Sequence, residues 1–281
     1  MFLTGDDAMP GNAEKTIDQS AAPTVDPGEK EREHHNGIDR FVVRIANATA
    51  WLFPVLIIAI NTQVVIRKIG NNQAWLDDAQ WWIYGFAMTV GFVYAITTQS
   101  HVRVDILHSN FSVRKKARIE VFGLGWLLLP FLIMMCDILA HYGWTSFIAG
   151  EGSDSPNGLH HLYLLKLSLP IIFALAIAAT ISMVTRHLAH ITTVRLWTVL
   201  LAIFPAAWFM AERFCHYVLW WFLRLSNSDL KPRQISKEPL LEWSMWGGLL
   251  LVVLGVIISF FLSRRRTNPR PGQNTDQRTT G

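Results

Sequence analysis

Charge and cysteine are what this sequence has least of. Charged residues make up 16% of 281 positions, where a soluble domain carries about 25%. A water-soluble domain of this length has no use for apolar runs as long and as free of charge as these. Cysteine occurs twice, at Cys136 and Cys215, each inside an apolar run. Two such residues make no disulfide framework and have no metal-ligand spacing. There is no nucleophile motif, no Gly-rich phosphate loop and no metal-ligand cluster, so the residues give no reason to expect an enzyme. Nothing in the first 37 residues resembles the apolar core of a signal peptide. They are polar and rich in Asp, Glu, Pro and Gly, and read as a disordered tail left in the cytoplasm. Residues 264–281 read as a second such tail. Internal repeats and inverted pairs of broken spans are also missing, and those are features on which many substrate-carrying transporters are built.

What is present is apolar surface. Hydrophobic residues make up 51% of the chain, and there are 12 Trp, a residue that favours the membrane–water interface. Six runs, near 46–66, 79–99, 121–147, 162–183, 196–223 and 241–262, are long enough for helices across the hydrocarbon, which takes about 20 residues. They lack the period of two that marks barrel strands. The expected fold is therefore all-α, a polytopic helical membrane protein. The run at 196–223 fits least well, because Glu212, Arg213 and His216 follow Pro205 in it. Neighbours on a helix point about 100° apart, which predicts separate partners for Glu212 and Arg213, or an interfacial position. The net charge of +4 reports loop orientation, with no nucleic-acid partner implied. Arg40, Arg44, Arg103, Arg114, Lys115, Lys116, Arg118, Arg186, Arg195 and Arg264–Arg266 lie on one side, and fewer basic residues lie on the other. The bias puts both termini inside.

Several short segments carry candidate contacts. Asp77 and Asp78 open the second run, where carboxylates meet the positive end of a helix dipole. His101, Arg103 and Asp105 alternate with aliphatic residues just after it; they could pair with each other or a partner, or be a solvated helix end. Ser112 starts a short amphipathic helix over 112–120 whose Arg114, Lys115, Lys116 and Arg118 suit an anionic bilayer surface. The acidic turn 151–159, with Glu151 and Asp154, falls outside. Ala174 and Ala178 predict close helix packing. His141 and His216 support a rival reading, a haem- or quinone-binding anchor of a redox complex. The bland alternative is a hydrogen-bonded His, with Asp137 as the i, i+4 partner of His141.

Taken together, these residues carry a resemblance. Trp75-Leu76-Asp77-Asp78-Ala79-Gln80-Trp81 and His101-Val102-Arg103-Val104-Asp105 flank an aromatic-rich span. The combination resembles the DctQ-type small permease subunit of tripartite ATP-independent periplasmic (TRAP) transporters. Glu151-Gly152-Ser153, Leu164-Leu165-Lys166, Pro170 and Phe173 are similar to the mannitol/chloroaromatic-type branch, though Ile172 stands where a Gly is often found. The resemblance covers 38–190, a four-span core, and leaves 191–263 as an extension of about two further spans. It implies a scaffold in a bacterial or archaeal inner membrane with no cofactor of its own. Its implied partners are a large permease that carries the substrate and sodium sites and a periplasmic binding protein that delivers an organic acid. Trp75, Asp77, Asp78, His101, Arg103, Asp105, Glu151 and Asp154 are then the candidate motif and contact residues.

Overall fold

A computed structural model describes residues 35–100, 111–226, 232–236 and 238–267. Every regular element among them is helical, as a chain that must satisfy its own backbone in lipid requires. The helices are α1 (Gly37–Ala50), α2 (Leu52–Lys68), α3 (Ala74–Thr98), α4 (Val113–Phe122), α5 (Leu129–Ile148), α6 (Tyr163–Ala189), α7 (Leu196–Ala202), α8 (Phe204–Ser226) and α9 (Ser244–Thr267). One helical turn, Pro232–Ile235, and a 3-10 segment, Pro239–Trp243, lie between α8 and α9.

Proline explains the breaks that hydropathy does not show. Pro54 has no N–H for the Ala50 carbonyl, and its ring crowds that group. The first apolar helix is accordingly interrupted at Trp51, yet α1 and α2 still form one span of 32 residues, Gly37–Lys68. Pro130 follows a π-helical segment, Gly123–Leu128, through which α4 runs directly into α5. The basic stretch expected as a separate surface helix is therefore the first part of one 36-residue helix, Val113–Ile148. Pro205 ends α7 three residues earlier, at Ala202, and α8 leaves at 94°. The expected continuous run 196–223 is thus a bent pair.

Among the described residues four helices are long and apolar enough to cross a membrane, namely Gly37–Lys68, Val113–Ile148, Tyr163–Ala189 and Pro239–Arg264; the bent pair, counted as one span, makes a fifth. The α3 helix is also long enough, at 25 residues, but its Trp, Tyr, Gln and Thr residues keep it below the same apolarity. The chain is a multi-pass membrane protein, and α3, the second expected span, packs into it through Val90, Val93 and Ile96.

Two apolar clusters organise the bundle. Val42 from α1, Val90, Val93 and Ile96 from α3, Leu132 from α5, and Ile172, Ala176, Ala179 and Met183 from α6 form the first. Leu129 and Ile133 turn the other side of α5 to the second, with Val184, Ile203, Ala206, Ala207 and Val252. The extension thus packs on the face of α5 and α6 that the first cluster leaves free. In lipid, helices gain little from burying apolar surface, so close approach and polar contacts decide their association. Small residues supply that approach. A Cβ at Gly248 would lie 2.5 Å from Glu212 N in α8, and one at Gly143 would lie 3.0 Å from Lys166 O in α6. On α6 the small face is Ala176, Ala179 and Thr180, all fully or nearly fully buried. The expected pair Ala174 and Ala178 sits beside it, with Ala174 exposed.

Asp77 and Thr97 on α3 are about 30 Å apart at 1.5 Å per residue, and so are Lys166 and Arg186 on α6. That distance matches the hydrocarbon thickness. Polar residues gather at both levels.

Candidate functional site

The first polar level is the loop end, where α3 and α6 begin. Arg67 at the end of α2 donates to Asp77 at 2.9 Å, which ties α2 to α3. Asp78 Oδ2 accepts the Leu159 N–H at 3.0 Å and so pins the acidic turn to the start of α3. This requires glycine at 158, because a Cβ there would collide with Ser153 Oγ and lie 2.7 Å from Asp78 Oδ2. Lys166 donates to Glu151 at 2.6 Å, and Ser146 Oγ donates to the other oxygen. The Lys166 hydrogen bond, with help from Ser146, holds the Glu151 carboxyl below the usual glutamate range. Trp75 is 45% exposed, with its indole N–H on Gln73 Oε1. Asp154 projects from the turn, exposed.

The second level is the opposite end. Asp39 is completely buried. Its Oδ2 accepts the Asn36 N–H at 3.0 Å and a bond from Arg186 Nη1 at 3.4 Å. Arg186 Nη2 donates to the Thr97 carbonyl at 3.3 Å, near the C-terminus of α3, where a cation also suits the helix dipole. Asn36 Nδ2 donates to Ser182 Oγ, and Gln99 reaches His187 at 2.6 Å. Three helix ends are thereby closed on one another. His101, Arg103 and Asp105 follow at once but lie outside the described residues. Arg114, Lys115 and Arg118 are exposed at this end, and Lys115 sits over the Phe111 ring at 3.8 Å. Lys116 is half-buried.

A third cluster lies between α5, α8 and α9, with Asp137, Glu212 and Arg213 part-buried and His141 on its exposed edge. The Tyr217 hydroxyl donates to Asp137 Oδ1 and meets His141 Nε2 at 2.7 Å. Asp137 and His141 were the predicted pair on α5, but Tyr217 joins them instead. Glu212 and Arg213 pair with each other, through bonds of 2.7 and 2.9 Å, contrary to the expectation of separate partners. Side chains this long bend across the 100° between them. Arg213 also lies 3.8 Å from Asp137, and Ser244 Oγ donates to Glu212 at 3.2 Å. Charge in the fifth span is thus met largely within the protein.

Residues 56–190 match the family of tripartite ATP-independent periplasmic transporters, DctQ component.

The DctQ-like segment runs from Leu56 in α2 to His190 just beyond α6. It contains the loop-end ties and most of the first apolar cluster. The family is a transporter component, not an enzyme family. No curated protein and no solved structure matches the chain. The segment starts later than the resemblance predicted, so α1 falls outside it, as do α7–α9. The redox-anchor reading gains no support, since His141 Nε2 is engaged by Tyr217 and the His216 ring meets the same tyrosine edge-on. Among the described residues no group of three or more His, Cys, Asp or Glu is placed to hold a metal ion. Sequence reading missed the Asp39–Arg186 tie. Its signals were an Asn-x-x-Asp helix start and a lone arginine at the end of a long apolar run.

Proposed function

We propose that the chain is the small transmembrane subunit of a TRAP transporter, a scaffold for a large permease that takes up an organic acid with sodium. A periplasmic binding protein delivers the substrate. The observation that carries this reading is the match over 56–190, which falls on a bundle whose helix ends are tied at both polar levels. Such ties suit a fixed support, and among the described residues Asp137, Glu212 and Arg213 in the bundle pair with one another. The mannitol/chloroaromatic-type branch is favoured because Glu151 and Lys166, from two separate pieces of that resemblance, form one ion pair.

Residues 38–190 are the core in this reading, and 191–263 are an extension that widens its membrane footprint. Arg40, Arg44, Arg114, Lys115, Arg118, Arg186 and Arg264 gather at the end away from the acidic turn. The positive-inside rule then directs that end and both termini to the cytoplasm of an inner membrane. The acidic turn faces the binding protein, with exposed Asp154 as its contact.

Co-purification from native membranes in mild detergent tests the assignment. A large permease should come down with the tagged chain, and its absence would sink the reading. Asp154→Lys should slow uptake with the complex still assembled; unchanged uptake would remove the turn from the docking surface. Glu151 is a poorer probe, because its reversal breaks the Lys166 pair.

A further inference from the structure

A groove of about 260 Å³ opens on the bundle where the α1–α2 junction faces α3, lined by Ala46, Asn47, Thr49, Ala50, Ala87 and Gly91 among others. It lies deep. Counted along the unbroken α3 from Thr97, its lining residues Gly91 and Ala87 stand about 9 and 15 Å into a 30 Å hydrocarbon layer. Asn47 and Thr49 carry hydrogen-bonding groups that no described residue meets. Thr62, Thr89, Thr97 and Thr180 each donate to the carbonyl four residues earlier. Thr49, only 8% exposed, makes no such bond, and its side chain borders the groove. The Asn47 amide is exposed there and equally unmet. Across from them stands Gly91, an exposed glycine in the middle of a helix. A Cβ at Gly91 would meet no atom within 4 Å among the described residues, so the glycine keeps the groove open on the α3 side.

These three observations discriminate among occupants. A lipid acyl chain fills volume but cannot meet an amide and a hydroxyl this far from the headgroups, and an unmet polar group there is costly. A transmembrane helix does both, since small residues let backbones approach and polar side chains bond across the gap. The extension does not supply that helix, because α7–α9 pack through α5 and α6 by the second apolar cluster.

We propose that this groove seats a transmembrane helix of the larger membrane subunit, one that presents a hydrogen-bonding side chain to Asn47 and Thr49. The inference rests on the small-permease reading and adds the face by which the two subunits meet.

The test uses the full tagged chain in its native membranes. Loss of one interhelical hydrogen bond weakens association by about three- to thirtyfold. Asn47→Leu should reduce the permease recovered by that factor. Gly91→Leu, which fills the groove, should reduce it at least as far. Gly85→Leu is the control, on the same helix and also with open space at its Cβ but away from the groove, and should recover the permease in full. A benzophenone side chain at position 91 should cross-link to the permease. Full recovery with Asn47→Leu and Gly91→Leu, or an adduct only to lipid or to a second copy of this chain, would overturn the docking face and leave the functional reading standing. A wild-type chain that brings down no permease would overturn both.

Discussion

Arg186→Met puts the closure of the bundle to a direct test. Asp39 is fully buried and Arg186 is 13% exposed. Removing the guanidinium leaves a buried carboxylate with the Asn36 N–H as its remaining partner, and strips the Thr97 carbonyl of its donor. Breaking a buried pair from one side costs about 3–5 kcal/mol. The site lies at the edge of the hydrocarbon, where water can reach a loosened carboxylate, so the lower end of that range applies, about 3 kcal/mol. At about 2–4 °C per kcal/mol for a chain of this size class, the melting temperature should fall by roughly 6–12 °C. The 12 tryptophans give a fluorescence signal for a thermal melt in mild detergent. Asp39→Asn should cost less, because its amide leaves no stranded charge and the Arg186 guanidinium can turn toward the interface. The double variant Asp39→Asn/Arg186→Met should then be more stable than the sum of the two singles implies, by about 1–3 kcal/mol. A melting temperature for Arg186→Met within 2 °C of wild type, or strict additivity in the cycle, would show that the pair does not hold the helix ends together.

Three further outcomes follow from the same geometry. Gly248→Leu drives a side chain into the Glu212 backbone and should cost at least the 1–3 kcal/mol or so typical of overpacking; an unchanged melt would mean that α8 and α9 separate freely. Tyr217→Phe removes the hydroxyl shared by Asp137 and His141 and should cost about 1 kcal/mol, because Arg213 stays near Asp137. A cycle with His141→Leu that shows no coupling would count against the junction. Glu151 is held below the usual glutamate range by Lys166, so its contribution is complete above that range and is lost as pH falls through its own lower value. Limited proteolysis of the 151–159 turn should therefore quicken only in acid, and Glu151→Gln should be fast at every pH; a wild-type turn equally resistant in acid would contradict this.

The legible part of the fold was the part written in apolar runs. Each expected run falls, to within a few residues, inside a helical span or a bent pair of helices, though α3 is less apolar than the four clear spans. The missed boundaries trace to proline and to packing. Hydropathy treats Pro54, Pro130 and Pro205 as three mildly polar positions, but each withdraws an N–H and crowds a carbonyl one turn back. The consequences were an interruption, a π segment and a 94° bend. Pattern reading also paired residues along a single helix, as with Asp137 and His141, because only intrahelical spacing is fixed by sequence. Tyr217 lies some eighty positions away and became a partner only when the extension docked. For the same reason Asp77, Asp78 and Glu151 could be singled out as acidic, while their roles in holding Arg67, the Leu159 N–H and Lys166 could not.

The extension bears on how the DctQ-like segment would be used. Its α8 and α9 take the free side of α5 and α6 through Ile203, Ala206, Ala207 and Val252, and the Tyr217–Asp137 bond seals that contact with polar groups. One broad side of the core is thereby occupied by the chain itself, while α2 and α3 keep exposed Phe53, Ile57, Ile58 and Phe92. Exposed apolar residues alone are compatible with lipid. Asn47 and Thr49 separate the two sides, since no described residue meets their hydrogen-bonding groups at a depth where lipid offers none. If the larger subunit docked on the extension instead, Asn47→Leu would stabilise the isolated chain in lipid and leave assembly intact. The docking face proposed for α1–α3 requires the opposite for assembly, with recovery of the permease falling while the isolated chain is no less stable.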